Sequence, residues 1–115
     1  MIKLYGIPNC DTVKKARRWL DEHGVAYEFH DFKKQGVPPD RLDHWLAVVG
    51  AERLLNRQGT TWRRLDATVQ SQALEAAGAR TLMLVQPSVI RRPVVEAGTR
   101  VLVGFDETAY ASLVR

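Results

Sequence analysis

The one cysteine of the chain, Cys10, lies in Pro8-Asn9-Cys10-Asp11-Thr12, where a short apolar stretch gives way to strong helix formers. The first-turn N–H groups of a helix have no intrahelical partners and point at whatever group sits there. Together with the helix dipole they favour an anion, which lowers a thiol's pKa and raises its thiolate fraction near neutral pH. Lys14, Lys15, Arg17 and Arg18 follow within two turns and add positive potential, whereas Asp11 opposes it. A lone Cys is otherwise a small buried apolar side chain, so its setting must decide between packing and reactivity. With a single Cys, no internal disulfide can form.

A second group capable of chemistry is Arg91-Arg92-Pro93, directly before an apolar run at Val94. Proline donates nothing to a sheet and belongs at a strand's beginning, and an X–Pro bond there can be cis at modest cost. A guanidinium is always charged and grips an oxyanion or carboxylate bidentately, although both arginines are equally compatible with a solvated surface. His23, His30 and His44 share no metal-ligand spacing with each other or with Cys10, so no metal site is expected. No Ser/His/Asp signature and no Gly-rich phosphate loop occurs. Trp62-Arg63-Arg64 is a basic-aromatic cluster, and one such cluster is too little to indicate a nucleic-acid surface.

The elements that must position these residues follow from periodicity. Ile2, Leu4 and Tyr5 predict a strand broken at Gly6-Ile7-Pro8-Asn9. Asp11 to Glu22 predicts a helix with Val13, Ala16 and Leu20 on one face and Gly24 as its cap. Ala26 to Phe32 predicts a second strand, and strand-helix-strand in so few residues requires parallel pairing. Pro38-Pro39-Asp40 opens a helix carrying Leu42, Trp45, Leu46 and Val49 at core spacing and closed by Gly50, with a further turn over Ala51 to Leu55. Gln58-Gly59-Thr60-Thr61 reads as a loop. Thr68 predicts a capped helix through Ala77 ended by Gly78, and Thr81 to Gln86 a short helix stopped by Pro87. Val94-Val95-Glu96 and Arg100 to Val103 flank Ala97-Gly98-Thr99 as an antiparallel hairpin. Asp106 then caps a last helix to about Val114, with Phe105 and Tyr110 at hydrophobic-staple spacing.

Composition narrows the function classes. At 115 residues with 45% hydrophobic and 26% charged content, the chain has the makeup of one folded domain, not of a disordered or fibrous one. Its longest apolar runs fall well short of the roughly 20 residues that span a bilayer, and no signal-peptide pattern opens it, so a cytoplasmic location is expected. Seventeen Lys and Arg against 13 acidic residues give a net charge of +4, which favours anionic partners without choosing among them.

The motifs extend to a family pattern. Leu4-Tyr5-Gly6-Ile7-Pro8-Asn9-Cys10-Asp11-Thr12, followed by Lys14-Lys15-Ala16-Arg17, resembles the opening of the arsenate reductase (ArsC)/Spx family. Leu54-Leu55-Asn56, Gly59-Thr60-Thr61-Trp62-Arg63, Arg91-Arg92-Pro93 and Val103-Gly104-Phe105 continue the likeness in order over nearly the whole chain. The Asn-Cys-Asp-Thr and Gly-Thr-Thr-Trp-Arg motifs are most similar to the YffB branch, small proteins proposed to be glutathione-dependent thiol reductases. The resemblance implies an α/β, thioredoxin-like fold: a single domain over 1–115, with βαβ and ββα halves forming a mixed four-stranded sheet and an all-helical insertion at about 38–87.

The resemblance also implies that Cys10 is the nucleophile and that Arg92, beside a cis Pro93, forms an anion pocket. Asn9, Pro93, Lys14 and Arg57 are implied with Arg92 as residues for substrate or glutathione. No bound cofactor is implied; glutathione is the co-substrate, glutaredoxin a partner, and the substrate a small thiol or oxyanion. In arsenate reductases the thiolate attacks arsenate, glutathione attacks the arsenylated cysteine, and glutaredoxin reduces the mixed disulfide. Those enzymes use three arginines around their cysteine. Here the one near Leu54-Leu55 meets Asn56 or Arg57, the one near the last strand's end meets Val103 or Gly104, and Gly6 stands where they carry His. Only Arg92 maps cleanly, which argues against efficient arsenate turnover. Spx, the RNA-polymerase-binding regulator of the family, has a Cys-x-x-Cys switch; Val13 excludes one here. The expectation is a glutathione-dependent monothiol reductase, with arsenate reduction and non-catalytic polymerase binding as alternatives.

Overall fold

In the computed structural model residues 1–114 are described, and the chain divides into two compact units: Met1–Gln35 with the chain from Arg92 onward, and Gly36–Arg91.

The first unit begins with β1 (Ile2–Gly6), α1 (Asp11–Glu22) and β2 (Tyr27–Asp31). β1 and β2 pair in parallel, Ile2 opposite Tyr27 through Gly6 opposite Asp31. α1 has the predicted bounds, and Val13, Ala16 and Leu20 are its buried face. The second strand stops one residue earlier than predicted, because Asp31 turns the chain. Its carboxylate accepts the Lys33 N–H at 2.8 Å, while its own N–H donates to the Gln35 side chain at 3.2 Å. These reciprocal bonds start a helical turn, α2 (Phe32–Gln35), at a residue expected to be extended.

The second unit is helical: α3 (Pro39–Val49), α4 (Ala51–Leu54), α5 (Thr60–Arg64), α6 (Ala67–Gln72) and α7 (Ala76–Val85), then a 3₁₀ turn over Pro87–Val89. Leu42 and Trp45 of α3 are fully buried, as is Leu54 of α4. Three expectations fail in this unit. Helix α5 begins inside the predicted loop, at Thr60, after an Asx turn in which Asn56 Oδ1 accepts the Gln58 N–H at 3.1 Å. Asp66, not Thr68, caps α6, its carboxylate accepting the Val69 N–H at 3.1 Å. Gly78 does not end a helix; it lies within α7, and Thr81 to Val85 complete that same helix. A Cβ at Gly78 would lie 2.0 Å from the Gln72 carbonyl oxygen, so glycine is there for close backbone approach between α6 and α7. The segment also holds one isolated β-bridge, Leu55 to Ile90, tied by Asn56 N–H to Val89 O and Arg91 N–H to Leu54 O, both 2.7 Å.

The chain then returns to the first unit as β3 (Val94–Ala97), β4 (Arg100–Val103) and α8 (Glu107–Ala111). β3 lies antiparallel to both β1 and β4, giving a mixed four-stranded sheet in the order β2-β1-β3-β4. Asp106 caps α8 by accepting the Thr108 N–H at 3.0 Å, as its residue type predicts. The helix is shorter than expected, ending at Ala111. The staple holds: the Phe105 and Tyr110 rings meet edge to face at 4.9 Å. Leu4, Val13, Ala16, Leu20, Val95 and Tyr110 form a fully buried core against which Cys10 packs. Burying each large apolar side chain there stabilises the fold by roughly 2 kcal/mol. Among the described residues no helix is long and apolar enough to cross a membrane.

Candidate active site

The site is built where β1 hands over to α1. After Gly6 the chain turns through Ile7, Pro8 and Asn9, closed by the Cys10 N–H donating to the Ile7 carbonyl at 3.2 Å. Pro8 and Asn9 are exposed and Cys10 is half-buried. Cys10 is the N-cap of α1, in extended conformation, and its carbonyl accepts the first intrahelical bond from Lys14 N–H at 2.9 Å. Ser, Thr, Asp or Asn at an N-cap stabilises a helix by about 1 kcal/mol, and a cysteine forgoes most of that. Cys10 makes no conventional side-chain cap bond. Its sulfur instead lies where the N–H groups of Val13 and Thr12 favour the thiolate.

Register brings the second member in. Tyr5 of β1 pairs with Val94 at the start of β3, and because the strands are antiparallel, the residues before Val94 run alongside those after Tyr5. Arg92 thereby arrives beside the Cys10 turn and contributes a hydrogen bond and its charge to the sulfur. The Arg92–Pro93 bond is cis, as the strand-start position suggested. Pro93 is buried, and its carbonyl accepts the Gly104 N–H at 2.8 Å, joining the entry of β3 to the exit of β4.

Opposing influences set the protonation of Cys10. Partial burial, the largest, pushes the thiol up. The Val13 N–H, the Arg92 guanidinium and the Thr12 N–H together outweigh it, so the pKa lies below that of an ordinary thiol. The thiol therefore gives up its proton more readily than an ordinary one, and the residue is only partly buried, a setting compatible with nucleophilic attack or disulfide exchange.

The remaining candidates differ in their settings. The Lys14 side chain is on the exposed side of α1, where its backbone, not its ammonium, bonds to Cys10. Asn9 flanks the cysteine in the exposed turn. Arg57 belongs to the second unit, exposed, with its guanidinium 5.8 Å from the centre of the Trp62 ring. Arg63 is exposed there and donates to the Gln58 carbonyl. No group of three or more His, Cys, Asp or Glu converges to hold a metal among the described residues. A hollow of about 670 Å³ between α6 and α7, lined by Val69, Gln72, Gly78 and Leu82 among others, contains none of the candidate site residues. Periodicity did not single out Gly6; its local signal was a glycine ending a strand, which marks close approach of another segment.

A β2-β1-β3-β4 sheet with a half-buried cysteine capping the first helix and a cis proline entering the third strand defines a thioredoxin-like protein with one thiol. The chain belongs to the ArsC family, whose model matches residues 5–113. It is similar to the solved YFFB protein, 52% identical with a TM-score of 0.95 over all of both chains. An arsenate reductase (ArsC) related protein from Brucella melitensis is 50% identical, with a TM-score of 0.77 over 96% of this chain and 92% of the other. An uncharacterized protein of Haemophilus influenzae is 37% identical over 96% of each chain. The global transcriptional regulator Spx of Streptococcus pyogenes is 29% identical over 93% of this chain and 80% of its own length.

Proposed function

We propose that this chain is a glutathione-dependent monothiol reductase in which Cys10 is the nucleophile and Arg92 the anion-binding residue. The observation that carries this is the half-buried Cys10 thiol, drawn towards thiolate by the first turn of α1 and by Arg92. In the first step the thiolate attacks the glutathionyl sulfur of a disulfide, forming a Cys10–glutathione bond and expelling the substrate sulfur as a thiolate that takes up a proton. With no second cysteine in the chain, the mixed disulfide is resolved from outside. A second glutathione thiolate attacks it, releasing oxidised glutathione and restoring the Cys10 thiolate. The substrate disulfide is reduced by two electrons at the expense of one glutathione, and the oxidised glutathione released joins that molecule to the glutathionyl group the substrate carried. Arg92 holds a carboxylate or oxyanion of the incoming molecule, assisted by Asn9 and the turn around Pro93. Lys14 adds positive potential at the entrance. A reducing cytoplasm suits a thiol that must stay unoxidised between turnovers.

Incubation with oxidised glutathione followed by intact mass measurement tests this. One glutathione adduct is expected on the wild-type protein and none on Cys10→Ser. No adduct, together with a thiolate absorbance titration no lower than that of a free thiol, overturns the proposal.

The likeness to an arsenate reductase (ArsC) related protein favours one further reading, that arsenate is the oxyanion attacked. An assay coupled to glutaredoxin and NADPH decides it, since arsenate-dependent NADPH loss is required. The likeness to Spx favours polymerase binding without catalysis. In that case Cys10→Ala retains its cellular effect and RNA polymerase co-purifies; no polymerase in a pull-down removes it.

A further inference from the structure

Gly6, the last residue of β1, is buried directly beneath the first turn of α1. A Cβ placed on it would lie 2.8 Å from Cγ2 of Val13 and 3.5 Å from Cγ1. Real Cβ atoms do not come that close, so any side chain at position 6 must displace Val13. Val13 has little freedom to give way. It is fully buried with Leu4, Ala16 and Leu20, and a β-branched side chain in a helix has essentially one rotamer. Displacement would therefore pass to its backbone, at the third residue of α1. The Val13 N–H is the strongest of the influences drawing Cys10 towards the thiolate.

We propose that Gly6 is a positioning residue for the nucleophile: its missing side chain lets Val13 seat against the end of β1, which holds the first turn of α1, and with it the Val13 N–H, against the Cys10 sulfur. This rests on Cys10 being the nucleophile. The coupling is steric, and it needs two residues of complementary size. Restoring the room by shrinking Val13 must therefore undo the effect of adding a side chain at position 6.

The thiolate absorbance of Cys10 is titrated in the wild type, Gly6→Ala, Val13→Ile and Gly6→Ala/Val13→Ala, each well below its melting temperature. Gly6→Ala is expected to raise the Cys10 pKa by about one unit, the size of effect a displaced hydrogen bond to a thiolate produces. Gly6→Ala/Val13→Ala is expected to return it to the wild-type value, a rescue that a merely destabilised fold would not give. Should Gly6→Ala fail to fold, Val13→Ile crowds the same gap from the helix side and must raise the pKa. An unchanged pKa in folded Gly6→Ala or Val13→Ile overturns the proposal, as does a raised pKa that persists in the double variant. A wild-type pKa no lower than that of a free thiol instead overturns the assignment of Cys10.

Discussion

Arg92 donates a hydrogen bond to the Cys10 sulfur and places its charge beside it, although one residue precedes β3 and the other caps α1. The contact exists because β3 runs antiparallel to β1 with Val94 opposite Tyr5. It makes the thiol's acidity depend on the sheet as well as on the helix.

Replacing Arg92 with Ala removes a hydrogen bond to a charged group, an interaction typically contributing about 1.5–3 kcal/mol when well buried. Partial exposure of the site reduces that, so the Cys10 pKa is expected to rise by about one unit. Alkylation by iodoacetamide at a pH below the wild-type pKa should slow about tenfold, because the rate follows the thiolate fraction. Arg92→Lys should recover only part of the loss, since a point charge cannot reproduce the planar fork. A rate unchanged in Arg92→Ala would contradict this.

The depressed Cys10 pKa has a consequence for stability with a definite sign. The folded state loses the thiol proton at a lower pH than the unfolded state, whose pKa is about 8.5. Between the two values the unfolded state binds more protons, so stability rises with pH across that window and levels off above it. The contribution is lost as pH falls through the folded pKa. The urea midpoint of the wild type relative to Cys10→Ser, measured from acid to alkaline pH, should climb across the window and then flatten. A constant difference would refute it.

Tyr110 is fully buried and its hydroxyl donates to the Gly104 carbonyl at 3.0 Å. Burial pushes its pKa far above the ordinary tyrosine range. Tyr110→Phe is expected to lower the unfolding free energy near neutral pH by about 1 kcal/mol, with the denaturant slope unchanged. Because the folded pKa is raised, stability is intact below the unfolded value of about 10 and falls as pH rises beyond it. Alkaline denaturation should therefore be steeper for the wild type than for Tyr110→Phe.

Glycine to alanine inside a helix ordinarily stabilises by roughly 0.5–1 kcal/mol. Gly78→Ala should reverse that sign, because the new methyl would sit on the Gln72 carbonyl oxygen. A loss of about 1–3 kcal/mol is expected from this overpacking, readable as a lower urea midpoint. A gain would mean that α6 and α7 do not approach each other as closely as described.

Local chemistry was legible wherever a single element satisfied its own needs. The bounds of α1, its Val13-Ala16-Leu20 face, the Asp106 cap and the Phe105–Tyr110 staple all follow from spacing within one or two turns. Failures fell where a neighbour outside the element decided the outcome. Gly78 carries the usual mark of a helix terminator, yet it is interior because another backbone needs the space. Asp66 and Thr68 are both acceptable caps, and only the path of the chain into α6 selects Asp66.

By itself the sequence determined that one thiol would stand at a strand-to-helix junction among basic residues, since residue type and helix-end geometry are local properties. Tertiary structure decided which of those basic groups act on it. Lys14, four residues away, turns its side chain to solvent, while Arg92 reaches the sulfur through the antiparallel register of β1 and β3. Spacing along a chain carries no information about which strands will be neighbours. The contact that adds Arg92 to the groups lowering the Cys10 pKa therefore came into being only when the sheet assembled.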